Sequence, residues 1–454
     1  MKTVIIVGAG PCGLLMAHYL LQRDSKYCVE LYDKRPDPRL NPVSTARSYS
    51  ISIGFRGRAA LREVGLESLA IERGTMPLGQ EIRNSRGVVQ SISRKKPRLL
   101  IERNVLTNLL LETLTKRYDA NCLRLKFEQK CLDIDLEAKS AVFQSASGYQ
   151  PCKAYDLLIG ADGVRSKVRN ILQHTTDLEV KLRESPVALK TLRLRCPDNH
   201  PELQLDRDSV HLYSLGSSGS LLCMPTPNEN YKSVVGFTQG YNSLANISSG
   251  SEVLSFFRKY MGDFSQLISP EEADAFAQKP FFQTTTVTCS RYHFADSVLL
   301  LGDATHAVSP MIAQGCSAAL EDSLVFNQLL DEYDDDLTQA VPKYTQRRRP
   351  DMIALEQMSD SLFPLTTYLG YLMLLKHVFD RTLHRWFPKF WTSSSVDMIS
   401  ETTIPYRHIL HSHSRWFKII DVLNQLILWK GKHSFNYKLF LINLFTDKFK
   451  CKYD

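Results

Sequence analysis

The chain has no CxxC pair, no internal repeat, no signal-peptide pattern and no uninterrupted apolar run of bilayer length. Each absence removes a class of protein. Its 10 cysteines are scattered singly, which argues against a zinc ribbon or a secreted disulfide framework and for a reducing compartment. The apolar part of MKTVIIVGAG is a few residues long and runs straight into glycines, so it reads as a first strand rather than a leader. No stretch reaches the ~18 apolar residues of a spanning helix. Residues 362–375 come nearest, are bounded by Pro364 and Lys376, and read as a pocket lid. Neither charge dominates: 56 Lys and Arg stand against 48 Asp and Glu. Between 407 and 454 there are nine Lys and Arg against three Asp, so most of the net +8 sits in the tail. A diffuse nucleic-acid surface is not the natural reading; a basic tail near an anionic surface is. The expectation is a cytoplasmic, non-secreted protein without a metal site.

What is present begins with a strand-like run, TVIIV, at 3–7. Gly8-Ala-Gly10-Pro11-Cys12-Gly13 follows, then a helical apolar pattern, and a second strand, CVELY, that ends at Asp33. GxGxxG between a strand and a helix is a dinucleotide fingerprint. Gly8 permits the tight turn, Gly10 admits a pyrophosphate, and Gly13 lets helix and strand pack. The helix N-terminus offers free N–H groups and positive potential to phosphates. Asp33, 20 residues after Gly13, is placed for ribose hydroxyls, with Lys34 and Arg35 beside it. Residues 57–64 and 104–117 read as helices, and 139–144, 155–160 and 297–301 as strands. Between them, 76–98 is polar and broken, and about 185–290 alternates as an antiparallel sheet with one solvated face. After 316 the chain reads as mostly helical, and the acidic knot Asp331 to Asp336 as a solvated turn. Length admits two domains and an extension.

Four pieces in order, GAGPCGLLMAHYL, IERNVLTNLLL, LIGADGVRSKVR and LLLGDATHAVSPMIAQGCSAALED, resemble the class A flavoprotein monooxygenases. The resemblance implies an α/β fold: a Rossmann-like FAD-binding domain (1–75, 99–180 and 291–350), an inserted antiparallel substrate domain (76–98 and 181–290) and a helical C-terminal region (351–454). It implies FAD as cofactor, with the glycine turn and Asp33 on its ADP half. Arg103 takes the phosphate side, and the Asp162-Gly163 turn shapes the cleft. Gly302-Asp303 faces the ribityl chain. Pro310, Gly315, Cys316 and Ser317 lie at the isoalloxazine, where a helix N-terminus favours the anionic reduced ring. His306 reads as a histidine packed in the cofactor loop. With a single fingerprint in the chain, NAD(P)H is expected to visit the flavin transiently. O2 is then activated as a flavin C4a-hydroperoxide that hydroxylates an aromatic ring.

Within that family, RSYSISIGFRGRAALREVGLE (47–67), YTQRRRPDMIAL (344–355) and MISETTIPY (398–406) look most like the kynurenine 3-monooxygenase group. By resemblance Arg47 and Ser52 lie along the flavin and Cys131 near the adenine. The substrate positions depart. Gln80 falls where that group has a carboxylate-binding arginine, Ser91 where it has a tyrosine, and Leu362 where it has an asparagine. Tyr406 alone keeps the group's residue, and is the candidate catalytic side chain. Arg83 and Arg86 are near enough in sequence to restore a cation through a shifted loop. The substrate expected is a small aromatic more apolar than kynurenine. Kynurenine hydroxylation itself, a same-fold reductase, epoxidase or halogenase, and a non-catalytic flavin-binding protein remain alternatives; no lysine with a WxWxIP-like motif supports the halogenase. The tail's apolar stripe from Trp416 to Ile427, and a second run from Leu439 to Phe445, read as packing on the body, an interfacial membrane helix or a partner-binding helix.

Overall fold

The computed structural model describes residues 1–40, 50–93, 96–145, 148–149, 153–195, 201–216, 219–227, 230–238, 244, 247–361 and 367–430. Arg47, Leu362 and the run Leu439 to Phe445 lie outside the described residues.

The TVIIV run forms the strand Lys2–Val7, between Tyr27–Tyr32 and Leu157–Gly160, in parallel register with both (Val4↔Val29, Val4↔Leu157). Leu123–Lys126 extends the sheet on one side. Val298–Leu300, then the short antiparallel His293–Phe294, extend it on the other. These central strands are near-continuous apolar runs because helices cover them, as parallel sheets require. Pro11–Leu21, Arg103–Arg117 and Gly315–Glu332 contribute to the same apolar core. Three strand ends on one edge (Val7, Tyr32, Gly160) lead into the glycine turn, Asp33 and the Ala161-Asp162-Gly163 turn, and the loop at Gly302 leaves the same edge after Leu300. An open parallel sheet binds ligands at this carboxyl edge.

A second sheet has seven strands, ordered Phe282–Cys289, Val180–Arg195, Asn230–Thr238, Ser220–Pro225, Ser209–Ser214, Gly79–Asn84, Gly87–Ser93. All neighbours are antiparallel except Ser209–Ser214 with Gly79–Asn84, which run parallel. The polar stretch 76–98 therefore supplies a hairpin to this sheet. Its strands look broken in sequence because they lie at an edge and turn tightly at Ser85-Arg86. The alternating texture of 185–290 also conceals two helices, Gly250–Met261 and Pro270–Gln278, each capped by a serine hydroxyl (Ser249, Ser269). Their apolar spacing, Val253, Phe257, Met261, is helical and buries them against the sheet as a second core.

Register makes the two faces of this sheet chemically different. One cross-strand row runs Arg83, Tyr213, Leu221, Val235, Lys190, all buried on the helix side. The next row runs Ile82, Leu212, Leu222, Val234, Thr191, all half-buried on the opposite face. Lys232 shares that second face, and its ammonium meets the Glu102 carboxylate. The half-open face is thus turned toward the start of the helix Arg103–Arg117.

The acidic knot is a turn with Asp331 and Asp334 exposed, as expected, but one of its carboxylates is not solvated. Asp335 is 5% exposed and accepts from Arg23 Nε (2.5 Å), Lys26 Nζ (2.6 Å) and Tyr27 Oη (2.8 Å), tying the end of the helix Gly315–Glu332 to the connection that enters the strand Tyr27–Tyr32. Cations brought close by the fold, unseen in local sequence, made the difference. C-terminal helices Leu337–Ser361, Tyr406–Ser412 and Ser414–Lys430 pack on the parallel-sheet core through Tyr344, Tyr406 and Phe417. Of the tail's stripe, Ile420 is buried and Ile419 is exposed, and Phe417 next to the stripe is buried. No helix among the described residues is long and apolar enough to cross a membrane.

Candidate active site

The three glycines of the first turn are demanded by three different things. Gly8 has φ +114, and a Cβ there would lie 2.4 Å from the Ala161 carbonyl oxygen. At Gly13 a Cβ would come within 2.1 Å of the Gly8 oxygen. Gly10 has an ordinary φ of −81 and no protein atom within 4 Å of a Cβ. Nothing in the protein itself requires glycine at 10, and the open space there leaves room for a ligand. The following helix starts without a side-chain cap and has Pro11 in its first turn, leaving the Cys12 and Gly13 N–H groups for an anion.

Asp33 is 5% exposed and fully engaged by protein. Its Oδ2 accepts from the Ala9 N–H (2.8 Å) and Arg35 Nη2 (2.8 Å); its Oδ1 accepts from the Arg35 N–H (2.8 Å) and Nε (3.0 Å). Burial opposes ionisation, but Arg35 and these amides outweigh it and hold the carboxyl below the usual range. Asp33 therefore fixes the glycine turn, while Lys34 and Arg35 are the exposed groups beside it.

Asp162 caps the helix Lys167–Thr175. It accepts from Ser166 Oγ (2.5 Å) and the Lys167 N–H (2.6 Å), and Gly163 turns beside it with φ +80. Arg169, 2% exposed, closes this turn onto the next loop by donating to the carbonyls of Val164 (2.9 Å) and Ala304 (3.1 Å). Cys131 is buried on the strand Lys130–Asp135; burial first, then Asp162, pushes its thiol to about 12.

Gly302 lies against Cys12: a Cβ at 302 would meet its sulfur at 3.4 Å. The phosphate turn and the Asp303 loop thus share one cleft. Asp303 is open to solvent yet ringed by protein, so desolvation raises its carboxyl pKa, with Arg103 and His306 drawing it down. Cys316 is half-buried; its thiol is pushed to about 12 by desolvation, with Asp303 adding to the rise. Pro310 is exposed at the lip. Gly315 faces open space: a Cβ there would meet only Val308, at 3.7 Å. Ser317 turns inward: its Oγ accepts from the Gly54 N–H (2.9 Å). Ser52 Oγ and Gln314 Nε2 are buried with no partner among the described residues.

Tyr406 is completely buried. Its hydroxyl donates to Gln314 Oε1 (3.1 Å), and the Arg56 guanidinium stacks on its ring at 3.9 Å. This belongs to a circuit that sequence reasoning missed. Arg56 donates to Glu321 (3.0 Å), and Arg348 donates to Glu321 (2.8 Å) and to Asp322 (2.6 Å). Asp322 also accepts from His306 (2.6 Å) and the Gly302 N–H (2.8 Å). The circuit pins the loop after Leu300 to the first turns of Gly315–Glu332. His306 is accordingly a packed histidine of that loop. Adjacent Glu321-Asp322 after a small-residue run, with Arg348 in RRRP, was the one signal in the sequence, but only the fold pairs them.

Gln80 is half-buried on Gly79–Asn84 and Ser91 exposed on Gly87–Ser93. Arg83 does not restore a cation to the half-open face. It points to the helix side, bonded to Glu81 (2.7 Å) with its guanidinium 4.6 Å from the Phe264 ring centroid. Arg86 is exposed in the hairpin turn.

An anion cradle, a carboxylate facing the same cleft, unpartnered hydroxyl and amide groups beyond it, and a helix N-terminus with open space fit an extended flavin dinucleotide, and define a flavoprotein. The FAD binding domain family model matches residues 1–359, and the chain belongs to that family. Violacein synthase of Chromobacterium violaceum is 28% identical over 432 residues, covering 92% of this chain and 99% of that protein. Kynurenine 3-monooxygenase of Sus scrofa is 25% identical over 439 residues, covering 94% and 89%. Among solved structures, PqsL of Pseudomonas aeruginosa, a probable FAD-dependent monooxygenase, superposes with TM-score 0.63 at 20% identity, covering 80% of this chain and 95% of that one. A 2-methyl-3-hydroxypyridine-5-carboxylic acid oxygenase superposes with TM-score 0.64 at 19% identity, covering 88% and 95%. The protein is an FAD-dependent monooxygenase.

Proposed function

We propose that the protein hydroxylates a small, uncharged aromatic substrate at the half-open face of its seven-stranded sheet. The observation that carries this is the row Ile82, Leu212, Leu222, Val234, Thr191, which offers methyl groups and one hydroxyl but no cation. Lys232 on that face is neutralised by Glu102, Arg193 beside it in register is exposed to solvent, and Arg83 lies behind the sheet. A carboxylate brought there without a counter-charge costs several kcal/mol. That one relative is named for violacein rather than kynurenine fits a family branch of more than one substrate.

Bound FAD, reduced by NAD(P)H, would supply the activated oxygen. The chain's own residues do the rest. The N–H groups of Cys12 and Gly13 and the exposed Arg103 bind the phosphates, Lys34 and Arg35 flank the adenosine, and Cys131 lies on a strand beside the cleft. Asp303 accepts from ribityl hydroxyls. Ser52 and the Gln314 amide direct donors at the ring. Pro310, Gly315 and Cys316 shape its edge. Tyr406 acts as a positioning residue, holding Gln314 through its hydroxyl while Arg56 holds its ring. Gln80 borders the substrate, and the apolar row keeps water from the reacting atoms.

Steady-state NADH and NADPH oxidation, with product mass and H2O2 release measured together, tests the proposal. Neutral phenols or quinols should stimulate coupled oxidation about tenfold or more above kynurenine. Efficient coupled turnover of kynurenine would overturn it.

A further inference from the structure

Apolar side chains exposed to water are scattered over this protein, with one exception. Of the sixteen large hydrophobic residues exposed among the described residues, seven fall between 375 and 391. Leu375, Val378, Phe379 and Trp386 are spaced to share one face of the helix Thr367–Trp386, and are 65%, 48%, 52% and 73% exposed. In the turn that follows, Phe387 and Phe390 are 54% and 88% exposed. This turn is fastened down: Trp391 Nε1 donates to Asp380 (3.0 Å), its ring packs edge-on against Phe379, and its carbonyl bonds His384.

Charge on the segment is segregated. Asp380, its one carboxylate, is 3% exposed and bonded to Lys376 and Trp391. Arg381 is turned inward to Asp397 (3.3 Å) and to the Ser93 carbonyl (3.0 Å). Arg385 and Lys389 are exposed among the aromatic rings. The outward face therefore carries aromatic and aliphatic groups with cations and no carboxylate.

We propose that this face docks on the surface of an anionic phospholipid bilayer. The side chains are about half or more exposed along one helix face and its following turn, so they suit insertion into a fluid interface. Tryptophan and phenylalanine favour the boundary between headgroups and acyl chains, and basic residues beside them meet anionic headgroups. A symmetric contact between two copies would bring Arg385 and Lys389 toward their own kind. With no described helix able to span, the attachment is peripheral. Arg381 ties this helix to the strand Gly87–Ser93, so docking places the edge of the substrate sheet at the lipid surface. The inference does not depend on which aromatic is hydroxylated.

The test is flotation of the full-length, FAD-loaded chain with phosphatidylcholine vesicles, with and without phosphatidylserine. Binding is expected to the serine-containing vesicles. Phe387→Ser/Phe390→Ser should weaken it about tenfold or more, and Arg385→Gln/Lys389→Gln should remove its salt dependence. All four positions are exposed, so bound-flavin absorbance and thermal midpoint should match the parent. No binding to anionic vesicles, or binding unchanged in Phe387→Ser/Phe390→Ser because the basic tail alone is responsible, would overturn the proposal. So would a dimer in lipid-free solution that the same double variant dissociates.

Discussion

Gly8 and Gly10 sit two residues apart in one turn and should respond oppositely to alanine. Gly10→Ala places a methyl where no protein atom lies within 4 Å and where φ is already −81, so the thermal midpoint of the FAD-free protein should barely move. FAD affinity, read by flavin fluorescence titration, should fall about tenfold or more, because the pyrophosphate must come close there. Gly8→Ala meets the Ala161 oxygen at 2.4 Å with φ +114, and should destabilise the fold itself. Lys190 is a second residue-scale case. It is 3% exposed between the Phe276 and Phe281 rings, and burial first, then Lys279, lowers its pKa from 10.5 to about 8. Between those two values the unfolded chain keeps a proton the folded chain has lost, so stability rises with pH in that window. Lys190→Met should remove that rise and raise the melting temperature at pH 7, measured by calorimetry at pH 7 and pH 10.

At the scale of elements, the helix Gly315–Glu332 is held at its flavin end by side chains from three other segments. Arg348 reaches it from Leu337–Ser361, Arg56 from Phe55–Glu63, and Tyr406 from the chain's last third. Arg348→Met leaves Glu321 and Asp322 buried with less counter-charge and should cost about 3–5 kcal/mol in denaturant unfolding. Tyr406→Phe deletes only the bond to Gln314. It should leave stability within about 1.5 kcal/mol, while lowering the fraction of NAD(P)H oxidation coupled to product. A change in stability without a change in coupling would mean that Tyr406 is structural only. The first-turn motif was plain in sequence because every residue in it acts locally. The Arg56–Glu321–Arg348–Asp322–His306 circuit was not, because its members are spread from 56 to 348 and only packing brings them together.

For the whole molecule, two cores meet across a cleft, one around the parallel sheet and one between the seven-stranded sheet and its helices. The proposed reaction needs the half-open sheet face to look toward the helix Gly315–Glu332. The Lys232–Glu102 ion pair joins these two sides, with 13% and 24% of the side chains exposed. Being partly solvated, it should contribute little to global stability, about 1 kcal/mol or less. Lys232→Met is expected instead to change KM for the aromatic more than kcat, by altering how the face is presented.

The sequence by itself determined the parallel-sheet start, the phosphate turn, the carboxylate near position 303 and the helical C-terminal part, because each is written in neighbouring residues with a fixed period or spacing. It also carried Gln80 at the position where the resembled group has an arginine. Only the tertiary structure decided that Arg83 serves the hidden face, that Asp335 is buried and paired, and that Asp33 is spent on the glycine turn. Those outcomes depend on strand register and on partners distant in the chain, and a shift of one residue in a strand turns every side chain to the other face.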